Sequence, residues 1–293
     1  MEAPLTHADV GAAAATRPDR PFRATGVRRL LDVLGETVAN GLALGRRDAT
    51  VRGADELRAI ARVEVIGSVP HFGGRARAAA RARPRPDAAA IEAYRGLRGV
   101  LRRNADGTGS RDDARIVVLT SARSGDGKTT SAANLAGVMA RAGDRVLLID
   151  AETRRGDQHA VFGVPAEPGF FDLLYGQAPE RECIRTLLVG GVRLDLLPSG
   201  GASQANAEEL LMAGRLSSFL ETLRPRYDVI LIDSPPLESF ADAARIGAVA
   251  DDVLLVARVG RTPRHAIEGA VRQLRHARAR LTGAILNDVA HHR

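Results

Sequence analysis

The feature that most constrains this chain is residues 116–130, IVVLTSARSGDGKTT. An apolar run rich in β-branched side chains predicts a buried strand. A tight glycine-containing loop follows, and a helix is expected to start near Thr129. The loop Ala122-Arg123-Ser124-Gly125-Asp126-Gly127-Lys128-Thr129 has the form of a phosphate-binding P-loop, with Ala122 where the pattern often carries its first glycine. Gly125 and Gly127 let the backbone approach a polyphosphate and turn its N–H groups inward. The following helix offers its positive dipole end. Lys128 can reach the β- and γ-phosphates, and the Thr129 hydroxyl can ligate Mg²⁺. Ser124, Asp126 and Thr130 complete the residues expected around the nucleotide.

Lys128 is the sole lysine among the chain's 42 Lys and Arg residues. A composition that otherwise uses arginine has kept lysine where a compact point charge must fit inside a phosphate cradle. A planar guanidinium would not fit there.

Two further apolar runs each end in an acid. Leu147-Leu148-Ile149-Asp150-Ala151-Glu152-Thr153-Arg154-Arg155 predicts a strand that delivers Asp150 to its C-terminal tip. Asp150 is placed to hold Mg²⁺ or its waters, Glu152 to take a proton from an attacking hydroxyl, and Arg154 to meet phosphate charge. In Tyr227-Asp228-Val229-Ile230-Leu231-Ile232-Asp233-Ser234-Pro235-Pro236, Asp233 takes the Walker B position beside Mg²⁺, and the prolines stop the strand.

From Arg115 onward strands and helices alternate. Strands are predicted at 116–120, 145–150, 194–197, 229–233, 253–259 and 282–287, and helices at 129–141, 207–223, 240–250 and 264–279. The fold class is α/β: a P-loop NTPase with a mostly parallel sheet, helices on both faces and a helical N-terminal arm. Ligands in such sheets bind outside the C-terminal strand ends, where the three motifs fall.

The expected organisation is a disordered arm at 1–26, an amphipathic helix and short strand at 27–70, an Arg/Pro-rich linker at 71–87 and the ATPase domain at 88–290. The helix around 27–44 has an apolar face that suits a membrane surface, a partner helix or its own domain alike. The net charge of +7 lies wholly within residues 1–110. That points to an anionic surface for the arm or to ordinary solvated arginines. The linker lacks interleaved aromatics, so no nucleic-acid partner is expected. The single Cys183 excludes a disulfide framework. No apolar run is long enough for a membrane helix, and the N-terminus lacks the layout of a secretion signal, so a cytoplasmic location is expected.

Several motifs in order then carry a resemblance: IEAYRGLR, TSARSGDGKTT, NLAGVMARAGDRVLLIDAETRR, LDLLPSG, NAEELL, YDVILIDSPP and ADAARIGAVADDVLLVARVGRTPR through GAILNDV. Over roughly residues 88–290 the chain resembles the cytoplasmic ATPase domain of the bacterial tyrosine kinases of capsule and exopolysaccharide systems, P-loop ATPases related to MinD and ParA. Residues 55–70 resemble the segment that follows the last membrane helix in the fused co-polymerase/kinase form. The resemblance implies ATP and Mg²⁺ as ligands. It makes Lys128 and Thr129 the Walker A positions, Asp150 and Glu152 the paired acids of Walker A′, and Asp233 Walker B. It makes Glu92, Arg95 and Arg98 an E-x-x-R-x-x-R face through which subunits pack into a ring. Asn287 sits where related ATPases place a base-contacting asparagine.

Two departures stand out. The family usually has aspartate at position 152, and misplacing a reacting group by about 1 Å can cost on the order of 10²-fold. Family kinases also commonly end in a tyrosine cluster, whereas this chain has Tyr94, Tyr175 and Tyr227 and none after Asn287. The resemblance implies a Mg·ATP-dependent protein-tyrosine kinase regulating polysaccharide synthesis or export. It implies a transmembrane co-polymerase as activator and holds the protein at the inner face of the plasma membrane. The missing tail leaves two forms: a kinase whose acceptor tyrosine lies on a protein substrate, or a non-kinase ATP-driven assembly switch. A ParA/MinD-type positioning ATPase is the third reading. Such ATPases carry a second lysine where this chain has Arg123, and the IEAYRGLR helix favours the polysaccharide family.

Overall fold

The computed structural model describes residues 50–71, 88–105, 114–152, 156–201, 214–238 and 241–290. The expected arm at 1–26, the helix around 27–44 and the Arg-rich linker fall outside them.

The organising element is an eight-stranded sheet. Its strands are β1 (Val65–Pro70), β2 (Arg115–Ser121), β3 (Val146–Asp150), β4 (Arg185–Val189), β5 (Val192–Leu197), β6 (Val229–Asp233), β7 (Asp252–Arg258) and β8 (Leu281–Val289). Their order across the sheet is β1-β8-β7-β2-β6-β3-β5-β4. Every pair is parallel except β4 with β5. The central strands are buried almost throughout, which is why they read as unbroken Val/Ile/Leu runs and not as alternating ones.

Side chains alternate between two cores, one on each face of the sheet. In β2, Ile116 and Val118 enter one core while Val117 and Leu119 enter the other. The second core is covered by α2 (Ala88–Ala105) and α3 (Lys128–Arg141), through Tyr94, Leu97, Leu135 and Met139. The first core is covered by α1 (Ala54–Ala61), α7 (Arg215–Leu223), α8 (Ala241–Ala248) and α9 (Arg264–His276). Short helices α4 (Gln158–Phe162), α5 (Phe170–Tyr175) and α6 (Glu180–Cys183) connect β3 to β4. Cys183 is buried and free, in keeping with a packing role.

Two findings differ from the sequence reading. The segment grouped with the N-terminal arm contributes to the sheet itself: β1 pairs along β8 from Val65↔Ala284 to Pro70↔Val289. Val51 is fully buried and exchanges backbone bonds with Thr262 and Gly260. Apolar residues on both sides of the linker therefore share one core. Second, β4 was not anticipated. It turns back on β5 through Gly190 and Gly191, both at positive φ, which is the requirement of a two-residue hairpin.

The join between β1 and the rest is specific. A Cβ at Gly67 would lie 2.6 Å from Cγ of Leu97, so the glycine gives α2 room to close on the strand. Leu97 is fully buried. Leu97→Ala is expected to cost about 2–5 kcal/mol, read as a lower urea midpoint at unchanged slope. A loss under about 0.5 kcal/mol would mean that α2 is not seated on β1 in solution.

Candidate active site

Strand register builds the site. Asp150 and Asp233 are the last residues of β3 and β6, and they are direct partners in the parallel ladder. Two strands that each end in an acid thus place two carboxylates side by side. β2 flanks β6 on the other side, and its C-terminal end runs into the P-loop. All three motifs meet at the carboxyl edge of three adjacent strands.

The P-loop is held by its own residues and by the far half of the sheet. Gly125 and Gly127 have φ of 84° and 98°, a region that only glycine enters freely. Gly127 caps α3, whose first N–H groups open on the loop. Asp126, expected beside the nucleotide, is buried. Its carboxylate accepts from Thr262 Oγ1 at 2.7 Å and from the Arg123 amide at 3.0 Å. Burial raises its pKa despite those bonds. Asn287, expected against a base, donates from Nδ2 to the Asp126 carbonyl at 3.0 Å. Both residues brace the loop from behind. Ser124 lies exposed on it, and Thr130 is exposed in the first turn of α3.

Among the described residues, the cleft sets the cation of Lys128 among three carboxylates. Lys128 is buried, and its Nζ donates to Glu152 Oε2 at 3.0 Å. Burial opposes its charge, yet the combined pull of Asp233, Glu152 and Asp150 leaves its pKa above the ordinary lysine value. Asp150 accepts the amides of Glu152 at 3.2 Å and Gln158 at 2.9 Å. Burial first, and the charge of Asp233 second, push its pKa up to about 8. Burial likewise raises Asp233, against the pull of Lys128.

Sequence reasoning missed Gln158. Its Nε2 donates to Asp233 Oδ2 and to the Thr129 carbonyl, each at 3.0 Å. With its own amide on Asp150, this residue ties together the three motifs. The only signal was a polar side chain shortly after the second acidic loop.

Mg²⁺ fits these residues. Asp233 Oδ1 and Gln158 Oε1 are buried with no hydrogen-bond partner, and the Thr129 hydroxyl bonds the Asp233 carboxylate. A hard, oxygen-only donor set that satisfies buried lone pairs suits Mg²⁺ and its waters.

The remaining candidates lie elsewhere. Arg154 is outside the described residues. Glu92 and Arg95 form an exposed pair on α2 at 3.2 Å. Arg98 does not join them. Its guanidinium forks onto Asp144 at 2.7 and 3.1 Å and docks α2 against the turn after α3.

Residues 114–285 match the family model described as AAA domain. The chain is 39% identical over 206 residues to the putative tyrosine-protein kinase EpsB of Ralstonia solanacearum, covering 70% of this chain and 26% of that protein. The solved BceF tyrosine kinase domain superposes with a TM-score of 0.70 at 32% identity, over 81% of this chain and 98% of that one. The chain belongs to the bacterial tyrosine-kinase family of P-loop ATPases. The kinase domain of Escherichia coli tyrosine kinase ETK agrees, with a TM-score of 0.72 and 29% identity over 83% and 96% of the two chains. These likenesses cover the kinase domain: the chain spans about a quarter of the length of the curated relatives it matches. No helix among the described residues of this tyrosine-kinase family member is long and apolar enough to cross a membrane.

Proposed function

We propose that this protein binds Mg·ATP and transfers the γ-phosphoryl group to tyrosine, as a kinase acting on polysaccharide synthesis or export. The observation that carries this reading is the Lys128–Glu152 pair inside a P-loop cleft already furnished with Asp150 and Asp233.

The pair explains how the site is switched on. Lys128 holds Glu152 in the ligand-free protein. Phosphate oxygens carry more charge than one carboxylate, so a nucleotide in the P-loop draws Lys128 away. Glu152 is then released as a carboxylate that can accept the proton of an attacking phenol. Glutamate reaches Lys128 across the cleft despite its extra methylene relative to the family's aspartate. Asp150 and Asp233, oriented by Gln158 and the Glu152 amide, are the residues that would hold Mg²⁺. The bound metal would neutralise charge on the transferring phosphoryl group.

The protein is placed at the inner face of the plasma membrane by a transmembrane co-polymerase that acts as activator, and it self-associates into a ring. Arg98 is committed to Asp144, so Glu92 and Arg95 are the residues of the α2 face left to meet a neighbour.

The test is phosphotyrosine mapping by mass spectrometry after incubation with Mg·ATP, alone and with candidate membrane proteins, against a Lys128→Met control. Lys128-dependent phosphotyrosine on any protein present is expected. ATP hydrolysis with no phosphotyrosine anywhere would replace the kinase with an ATP-driven assembly switch.

A further inference from the structure

The P-loop carries a charge that runs against its task. Such a loop gathers N–H groups and a lysine around phosphate. Here it also holds a carboxylate, Asp126, between Gly125 and Gly127 and next but one to Lys128. An anion free to turn at that point would repel the phosphates and offer Lys128 a competing partner.

The structure shows how this charge is kept aside. Asp126 is 1% exposed. Its Oδ1 accepts from the Thr262 hydroxyl at 2.7 Å and its Oδ2 from the Arg123 amide at 3.0 Å, so both oxygens are engaged. Thr262 is fully buried, on the loop that follows β7. Its Oγ1 accepts from the Arg258 amide at 2.7 Å, which leaves the hydroxyl proton for Asp126. The main chain around Asp126 is held from the same side. Arg258 Nη1 donates to the Gly125 carbonyl at 3.4 Å, and Asn287 Nδ2 to the Asp126 carbonyl at 3.0 Å. The ends of β7 and β8 thus grip the peptide groups on both sides of the misplaced charge.

We propose that Thr262 is a positioning residue for nucleotide binding: its hydroxyl latches the Asp126 carboxylate away from the phosphate cradle, so that the loop after β7 sets the affinity of the P-loop for polyphosphate. The inference rests on the Mg·ATP reading above and assigns a determinant of affinity to residues outside the three motifs. Thr262 acts through Asp126 and not by touching the nucleotide. Without the hydroxyl, the buried carboxylate is one donor short. It then turns to the nearest remaining donors, which are the N–H groups and the lysine that phosphate needs. A hydrogen bond to a charged group is worth on the order of 10- to 100-fold in an equilibrium, which sets the size of the effect.

The test is isothermal titration of the full chain with Mg·ATP and with Mg·tripolyphosphate, which has neither base nor ribose and reads the cradle alone. Thr262→Val is expected to weaken both by about 10- to 100-fold and by similar factors. Thr262→Ser, which keeps the hydroxyl, should stay within about threefold of wild type. Asp126→Asn should also stay within about threefold, because the carboxylate is not itself a ligand. The decisive variant carries Asp126→Asn together with Thr262→Val. Removing the charge should restore affinity to within about threefold of Asp126→Asn alone, a rescue that a merely structural role of Thr262 does not give. Failure of that rescue overturns the inference, as does a Thr262→Val protein that binds as wild type does. If Thr262→Val does not fold, Asp126→Asn decides: a loss above about tenfold makes the carboxylate a ligand and overturns the latch, and retained affinity supports it. Wild-type protein that binds neither ligand overturns the Mg·ATP reading and the inference with it.

Discussion

Lys128→Met is expected to lower phosphoryl transfer by at least about 10²–10³-fold, the usual effect of removing one electrostatic contact to a transferring group. The same change should destabilise the ligand-free protein. Lys128 is the cation that faces Asp150, Glu152 and Asp233 among the described residues. Breaking a buried pair by removing one partner costs about 3–5 kcal/mol. The deficit should depend on pH. Without Lys128 the carboxyls are ionised at greater cost, so the gap to wild type should widen from pH 6 to pH 8.5. Urea titrations at both values check this. An equal deficit at both would mean that Lys128 does not neutralise the acids in the folded state.

Asp233→Asn should move activity and stability in opposite directions. Asp233 Oδ2 accepts from Gln158, and an asparagine oxygen can keep that bond. Asp233 Oδ1 is buried with no hydrogen-bond partner, and its charge sits beside Asp150. Removing one of two adjacent buried charges is expected to stabilise the metal-free protein by about 1–3 kcal/mol, because burial and the neighbouring Asp150 outweigh the pull of Lys128. Mg²⁺-dependent turnover should fall at least about 10²-fold. The pH dependence follows from the same acids. A carboxyl raised from 3.8 to about 8 in the folded state, as Asp150 is, holds a proton that the unfolded chain has released across that window. Its contribution to stability is full below 3.8 and is lost as pH rises through about 8. Wild-type stability without metal should therefore decline over that range. The variant should decline less, because Asp150 then ionises without the Asp233 charge beside it. Thermal melts in chelator across pH 5–9 decide it. A variant less stable than wild type at pH 8 would show that the attraction between Asp233 and Lys128 outweighs burial and the repulsion from Asp150.

Much of the site was legible because its residues follow apolar runs. A strand that ends in an acid announces both its direction and the position of the acid, which is how Asp150 and Asp233 were read, and the glycine loop after another apolar strand marked Lys128. The sequence did not reveal who would stand beside whom. The Asp150–Asp233 pairing depends on β3 and β6 being neighbours, a fact of sheet order that local pattern does not carry. Gln158 lies on a short helix outside any periodic segment, and its side chain bonds Thr129 and Asp233, 29 and 75 residues away in sequence. Asp126 and Asn287 were read by position in a motif, and their bonds to Thr262 and to the loop backbone turn both toward bracing. Arg98 followed helical spacing with Glu92 and Arg95, but the nearby Asp144 claimed it. β4 left the signature of its hairpin in Gly190-Gly191, yet β4 itself alternates half-buried and exposed residues at the sheet's edge.

Because β1 lies on the far side of the linker from α2, the portable unit of this fold does not begin at the first kinase motif. A chain cut at residue 88 would keep every residue of the P-loop cleft. It would also leave β8, and with it Asn287 behind the loop, as a bare edge with a ladder of unpaired N–H and C=O groups. Such an edge pairs readily with its own copies. A gene fusion that moves this catalytic unit to another protein must therefore carry residues 50–71 with it, or supply a foreign strand that fits alongside β8.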